Sequence, residues 1–360
     1  MTLIKRKALV AMSGGVDSSV AAYLMKQDGY DCIGANMRLI DSENADISDD
    51  TNFCYAEAAA DASNIAAMLG IPFHVFNFVE DFGKQILNSF ANAYMNGSTP
   101  NPCIDCNRQM KFEKLFHRGK QMGIEYLATG HYARIVYNGK NGRHQLLKSL
   151  DISKDQSYFL YTMTQEQLSR TLFPLGALKK TDVREIAEKL GFANAKKSDS
   201  QNICFVPDGN YSKFIEQYTG TLSQSGDFID TEGNVLGRHQ GLIRYTEGQR
   251  RGLGISLGKP MYVLSKNVEN NTVTLCEERK LYSKTLFATG LNMIAYEKLD
   301  KKIRVQAKIR YAHKPQWATA EQRSDDLLHI EFDEPQRAIT KGQAVVLYDG
   351  ETVIGGGTIT

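Results

Sequence analysis

The segment Ser13-Gly14-Gly15-Val16-Asp17-Ser18-Ser19 stands between an apolar run, residues 6–12 (RKALVAM), and the stretch VDSSVAAYLMKQ. Two glycines and three serines between a strand and a helix leave a chain few ways to fold. The glycines permit positive φ and close backbone approach. The helix behind them offers unpaired N–H groups and the positive end of its dipole. With the hydroxyls of Ser13, Ser18 and Ser19 they form a cradle for phosphate or pyrophosphate. The GK[ST] ending of a Walker A loop is absent, and the spacing is not G-x-G-x-x-G.

The alternation continues. Residues 31–39 read as a second strand, 40–52 as an acidic polar loop, and 53–69 as an Ala-rich helix. Residues 72–78 read as a third strand and 80–95 as another helix. This pattern predicts an α/β fold with a doubly wound parallel sheet and the Gly-rich turn at its carboxyl edge, where ligands bind. Residues 96–106 (NGSTPNPCIDC) break the pattern as a loop, with a helix expected from about Asn107. EYLATGHYARIVY gives a strand and then a hairpin turning at NGKNGR. Short helices are expected near 164–170 and 181–190. Beyond about 205 the chain becomes a series of short β-like stretches, with no strong helical period after about 218. The expected domains are 1–205, a small central domain at 206–265, and a β-barrel or sandwich at 266–360.

Composition supports this division. At 360 residues the chain is longer than one core usually grows. The 43 Lys+Arg against 41 Asp+Glu give a net charge of +2, so a nucleic-acid partner would need local basic patches. No apolar run approaches the ~18 residues of a membrane span. The apolar part of the N-terminus is too short for a signal-peptide core, so a cytoplasmic location is expected.

Six cysteines are too sparse for a disulfide scaffold. Cys103 and Cys106 lie in NPCIDCNRQMKF, directly before the expected helix, where a thiol ionises more easily and the thiolate is the nucleophile. Cys204 follows in SDSQNICFV. Cys32, Cys54 and Cys276 have no such setting and are expected to be buried. A structural zinc site would want a second cysteine pair, and the sequence has none.

The turn resembles the PP-loop, S-G-G-x-D-S, of the ATP pyrophosphatase superfamily, whose members cleave ATP between the α and β phosphates and adenylate a carbonyl oxygen. Along the chain AMSGGVDSS, NPxxxCNxxxKF, ATGHYAR, KDQSYFL, ICF, GQRxGLG and a late Arg-Tyr occur in that order. In these motifs, over essentially its whole length, the chain resembles the tRNA-specific 2-thiouridylase family (MnmA in bacteria, TrmU in organelles). That resemblance implies a PP-loop domain, a central domain and a C-terminal β-barrel. It also implies ATP-dependent conversion of the wobble uridine of Lys, Glu and Gln tRNAs to 2-thiouridine.

The resemblance further implies residue roles. Ala11, Met12, Ser13, Gly14, Gly15, Val16, Asp17 and Ser18 would bind ATP with Mg²⁺, Asp17 holding the metal or the loop. Met37 would meet adenine and Gly130 would lie near the ribose. Cys106 would be the first catalytic cysteine and Cys204 the persulfide carrier, the two forming a disulfide in turnover. Asn101, Pro102 and Cys103 would lie beside the flipped base. His131, Lys154, Asp155, Gln156, Arg310, Tyr311 and Gln343 would contact tRNA, and Gly248 to Gly252 would form a further backbone-binding turn. A sulfur-relay protein or cysteine desulfurase is the implied donor, and the chain is expected to be a monomer. Many members have Asp where this chain has Cys103. The three thiols Cys103, Cys106 and Cys204 would therefore also suit a 4Fe–4S cluster with one open iron site. Asp199 is a candidate proton acceptor or a capping residue.

The sequence itself adds one basic surface. From Lys302 to Tyr311 apolar and polar positions alternate, which places Arg304, Lys308 and Arg310 on one solvent face of a strand, suited to phosphate contacts. Trp317, the only tryptophan, is expected in the core rather than stacked on a base. The competing function is an amidating PP-loop ligase of the GMP- or argininosuccinate-synthetase kind, which needs no paired cysteines. A non-catalytic RNA-binding protein on a nucleotide fold is the third reading.

Overall fold

The computed structural model describes residues 6–40, 49–199 and 202–360, with the backbone alone for 49–55. Most of the expected acidic loop at 40–52, and the side chain of Cys54, lie outside the described residues.

The first sheet contains β1 (Lys7–Ala11), β2 (Asp31–Arg38), β3 (Phe73–Asn77), β4 (Tyr126–Thr129) and β7 (Thr171–Leu172). All its pairings are parallel, in the order β3-β2-β1-β4-β7. Ala8, Leu9 and Val10 of the central strand are at most 1% exposed, as a strand covered on both faces must be. Helix α1 (Val16–Gln27) buries Val20, Ala21, Ala22 and Met25 against the sheet, and its small residues allow close approach. Helix α2 (Asp49–Met68) follows β2. A continuous helical run after β3 comprises α3 (Val79–Phe82), a π-helical turn Gly83–Leu87 and α4 (Asn88–Met95).

The segment expected to be a loop before Asn107 is partly helical. Helix α5 (Pro102–Asp105) runs into π-helical Cys106–Leu115 and then α6 (Phe116–Gln121). The reason is local: Asn101 accepts from the Cys103 backbone N–H at 3.2 Å as an N-cap, and Pro102 occupies the first helical position. Helices α7 (Gln165–Ser169) and α8 (Lys180–Lys189) fall where expected.

The hairpin of β5 (Ala133–Asn138) and β6 (Arg143–Lys148) leaves the first sheet and joins the last one through a β6–β17 pairing. The final α-helix, α9, is Tyr211–Thr219. A four-stranded sheet then takes β8 (Gly226–Ile229), β9 (Val235–His239), β10 (Tyr262–Asn267) and β11 (Thr272–Cys276), in the order β10-β11-β8-β9. It therefore runs to Cys276, past the expected limit at 265, because β10 and β11 form a hairpin that pairs in parallel on β8.

The last unit consists of β12 (Tyr282–Met293), β13 (Ile303–Lys308), β14 (Gln316–Ser324), β15 (Leu327–Arg337), β16 (Ala344–Asp349) and β17 (Thr352–Ile359). Strand β12 pairs with both β15 and β17, which closes these strands into a barrel rather than a sandwich. Val305, Ala307, Ile309, Ala318, Leu328 and Ile330 fill it. No helix among the described residues is long and apolar enough to cross a membrane.

Candidate active site

The Gly-rich turn sits where β1 ends and α1 begins. Met12 donates its N–H to Ala35 at 2.7 Å, and Asn36 donates to the Met12 carbonyl at 2.8 Å, so the neighbouring strand fixes the entry. Gly14 has φ +80°, and a Cβ there would stand 2.1 Å from the Ala58 carbonyl oxygen. Only glycine fits. Ser18 Oγ accepts from the Ser13 N–H at 3.1 Å and donates to the Gly15 carbonyl at 2.9 Å. Gly15, the residue at the helix start, makes no side-chain cap. The first-turn N–H groups of α1 and the exposed Ser13 are thus left for an anion.

Gly130 backs onto this turn: a Cβ there would lie 2.8 Å from the Asp17 carbonyl carbon and the Ser18 nitrogen. Its glycine serves close packing against α1. Met37 is half-buried and lies within β2.

Three side chains hold this turn from elsewhere in the chain. Asn194, 3% exposed, donates to the Gly14 carbonyl and to Ser19 Oγ, both at 2.9 Å. Lys180 meets both Asp17 carboxylate oxygens, at 2.7 and 2.8 Å, and Tyr132 donates its hydroxyl to Asp17 at 2.9 Å. Asp17 thus holds the loop to α8.

Asp199 pairs with Lys154 at 2.8 Å, Lys180 at 2.8 Å and Arg184 at 3.0 Å. Burial pushes its carboxyl up, but the hydrogen bonds from Lys154 and Lys180 outweigh this and hold it at about 2. A carboxylate so acidic, and held by three cations, is a poor proton acceptor.

Cys103 and Cys204 are exposed and Cys106 is half-buried. Cys204 lies close enough to both of the others to perturb their ionisation. The expected ease of ionisation is not found. Burial pushes the Cys106 thiol up to about 12, and Lys111 works against it. The Cys103 residue is exposed, yet crowding around its sulfur pushes that thiol up to about 11; access to reagents follows the exposure. Helical backbone continues on both sides of Cys106, so it occupies no helix start. Lys111, four residues beyond Asn107, is a cation that the motif contained and that sequence reasoning gave no role. Among the described residues no group of three or more His, Cys, Asp or Glu is placed to hold a metal ion. The three thiols, as placed, form no such group.

The residues assigned to tRNA divide into two sets. His131 is buried, its Nδ1 2.7 Å from Thr129 Oγ1, between the rings of Phe112 and Phe173. Burial, aided by Lys111, keeps its pKa well below the usual histidine range, so it brings no charge to a phosphate. Asp155 accepts from the N–H groups of Ser149 and Ser157 and from Ser157 Oγ. Gln156 accepts from the Tyr132 N–H at 3.0 Å. These side chains organise the turn beside β4. Tyr311, by contrast, is exposed and rests on Phe159 with ring centres 4.4 Å apart. Arg310 directs one guanidinium nitrogen at the carbonyls of Arg337 and Ala338, each at 3.4 Å.

The alternation on β13 is as expected, but the basic row is engaged. Arg304 pairs with Asp333 and lies over the Trp317 ring at 5.2 Å. Lys308 lies over Tyr158 and Tyr311. Trp317 is 51% exposed, not in the core, because its position on β14 faces outward opposite Gln306. In the Gly248–Gly252 turn, Arg250 and Arg251 are exposed and, among the described residues, form no ion pair.

The tRNA methyl transferase HUP domain family matches residues 6–208, the tRNA methyl transferase PRC-barrel domain 212–277, and the aminomethyltransferase beta-barrel domain 283–359. A tRNA-specific 2-thiouridylase MnmA of Clostridioides difficile is 48% identical, covering 99% of this chain and 98% of its own. One of Lachnoclostridium phytofermentans is 50% identical over 98% of this chain and 99% of its own. A solved 4-thiouridine synthetase–RNA complex with bound ATP matches 60% of this chain and 50% of that one, at 16% identity and TM-score 0.37, too loosely to carry an argument. Matched from end to end by such relatives, and by these three family models in turn, the chain belongs to the tRNA-specific 2-thiouridylase family.

Proposed function

We propose that this chain is a tRNA-uridine 2-sulfurtransferase that uses ATP to convert the wobble uridine of Lys, Glu and Gln tRNAs to 2-thiouridine. The observation that carries the reading is the convergence of Cys103, Cys106 and Cys204, from two distant segments, in a domain whose first turn leaves a helix N-terminus open to phosphate. An amidating ligase has no use for such cysteines, and a mere RNA-binding protein has none for the phosphate cradle.

ATP is the second substrate, its phosphates seated on Ser13 to Ser18, and Mg²⁺ arriving with ATP would shield their charge. Uridine O2 attacks the α-phosphorus and pyrophosphate leaves. The oxygen, now an adenylate, can depart as AMP. Cys204 carries the persulfide. Its terminal sulfur reaches C2 either directly, the Cys106 thiolate then attacking the Cys204 sulfur so that the S–S bond breaks and the sulfur stays on C2, or as hydrosulfide freed beforehand by that same attack. Either route ends with a Cys106–Cys204 disulfide, which a cellular dithiol returns to two thiols. Lys111 favours the Cys106 thiolate. The target base leaves its stack to be reached, which an anticodon loop allows cheaply. The persulfide comes from a sulfur-relay protein or a cysteine desulfurase, and the enzyme works as a cytoplasmic monomer. A 4Fe–4S route through the same three cysteines would require them to regroup.

The test is sulfur transfer to a defined tRNA transcript with ATP and a persulfide donor, read by retardation of thiolated tRNA on a mercury gel, beside pyrophosphate release. Pyrophosphate release that ignores tRNA would return the ligase reading.

A further inference from the structure

Lys180 opens α8, donates its backbone N–H to Asp151 at 3.0 Å, and sends its side chain inward until only 10% of it is exposed. An ammonium has three N–H donors. Two go to the Asp17 carboxylate oxygens, at 2.7 and 2.8 Å, and an Asp199 oxygen pairs with the same ammonium at 2.8 Å. Tyr132, which also donates to Asp17, presents its ring to the same ammonium at 5.8 Å.

The two carboxylates belong to different parts of the site. Asp17 is in the first turn of α1, where the phosphates would sit. Asp199 stands five residues before Cys204. Lys154 and Arg184 hold Asp199 from its other sides. Without Lys180, two carboxylates would face each other beside the seat of a polyphosphate. With it, they are joined. A chain of five residues reaches at most ~18 Å, so an anchor at Asp199 limits how far Cys204 can move from the nucleotide.

Resting on the thiolation reading above, we propose that Lys180 is a positioning residue that couples the two half-reactions. By bridging Asp17 and Asp199 it ties the segment carrying the sulfur to the loop carrying the nucleotide, so that sulfur arrives where the adenylate forms.

The experiment uses the full chain with tRNA transcript, ATP and a persulfide donor. It measures 2-thiouridine formed per pyrophosphate released in a single turnover, and the KM for ATP. Wild type gives a ratio near one. Lys180→Met is expected to lower the ratio about fivefold or more and to raise the ATP KM, whereas Lys180→Arg restores much of both. Asp199→Asn, altering the far end of the bridge, is expected to lower the ratio with a smaller change in ATP KM. It decides the matter if Lys180→Met proves unfolded by its circular dichroism. Losses of thiolation and pyrophosphate release in equal proportion, in the folded variants, would overturn the inference and leave Lys180 a structural ion pair. Wild type that releases no pyrophosphate with tRNA would overturn the thiolation reading itself, and this inference with it.

Discussion

The side-chain amide of Gln343 donates a hydrogen bond to the Thr99 carbonyl oxygen at 2.7 Å. Thr99 in turn donates its N–H to Lys341 at 2.9 Å, and the Lys341 N–H is held by Glu247 at 3.1 Å. The barrel, the central domain and the segment entering the cysteine helix therefore meet two residues before the Asn101 cap. The family resemblance assigns Gln343 to tRNA, but its amide is committed within the chain.

Gln343→Ala removes one hydrogen bond of about 1 kcal/mol net. We expect a melting temperature lower by a few degrees at most, and kcat for thiolation reduced several-fold at saturating tRNA. A direct tRNA contact would instead show as a raised KM for tRNA with kcat unchanged. Steady-state kinetics with a transcript decides between them.

Ser13→Ala removes the exposed hydroxyl of the cradle. It should abolish tRNA-dependent pyrophosphate release while leaving tRNA affinity within a few-fold, since the cradle and the barrel are separate surfaces. Asp17→Ala should do the same with a larger fall in stability, because it strips one carboxylate from the mostly buried Lys180. Unchanged pyrophosphate release in both variants would end the PP-loop assignment.

Burial raises the Cys106 thiol from 9.0 to about 12, so at pH 8 only about one molecule in 10⁴ carries the thiolate. Alkylation of Cys106 in the resting protein should climb steadily with pH, with no plateau below about pH 11. Lys111→Met, which removes the cation that lowers this pKa, should slow alkylation further at every pH. Because the folded state keeps a proton that the unfolded state loses, stability contributed by the neutral thiol is present below pH 9 and is lost as pH rises towards 12. Rapid alkylation at pH 7, followed by peptide mapping, would contradict this placement.

What could be read from the sequence, and what could not, follows from the range of each interaction. The nucleotide turn is legible because Ser13 to Ser19, the strand before it and the helix behind it are contiguous. The alternation on β13 is legible for the same reason: period two records which face is buried. Lys180 and Asn194 could not be found that way. Each touches the turn from more than 160 positions away, and nothing in LKKTDV or FANAKK marks a partner. The helical start at Pro102 had a local signal, an Asn cap before Pro, which the prolines of the segment outweighed in the reading. Trp317 failed on composition alone: a lone tryptophan suggests a core, but its strand position faces outward.

The engaged state of the barrel's basic row alters what its removal should do. Arg304 already has Asp333, and Lys308 lies against aromatic rings. Arg304→Ala alone should hardly change the salt dependence of tRNA binding. The triple change of Arg304, Lys308 and Arg310 to Ala should weaken it by fewer units of slope than three phosphate contacts would give. The exposed pair Arg250 and Arg251, changed together to Ala, should flatten the log–log slope by about two. Filter binding across a salt series measures all three. A flat response to the pair would place the RNA elsewhere.

Cys103 separates the two sulfur chemistries. If sulfur travels on a persulfide, Cys106 and Cys204 are indispensable, and Cys103 only shapes the base pocket. Cys103→Ala should then keep substantial aerobic activity with a persulfide donor, as its exposed position suggests. Cys106→Ala and Cys204→Ala should each be inactive, with Cys204→Ala alone unable to take up the labelled persulfide sulfur. If the three thiols regroup around a cluster, all three Ala variants should lose iron and activity together, and the wild type should need anaerobic reconstitution. Iron content and thiolation are measured side by side for wild type and Cys103→Ala. Full activity in iron-free wild type removes the cluster. Activity that tracks iron and vanishes in Cys103→Ala removes the persulfide.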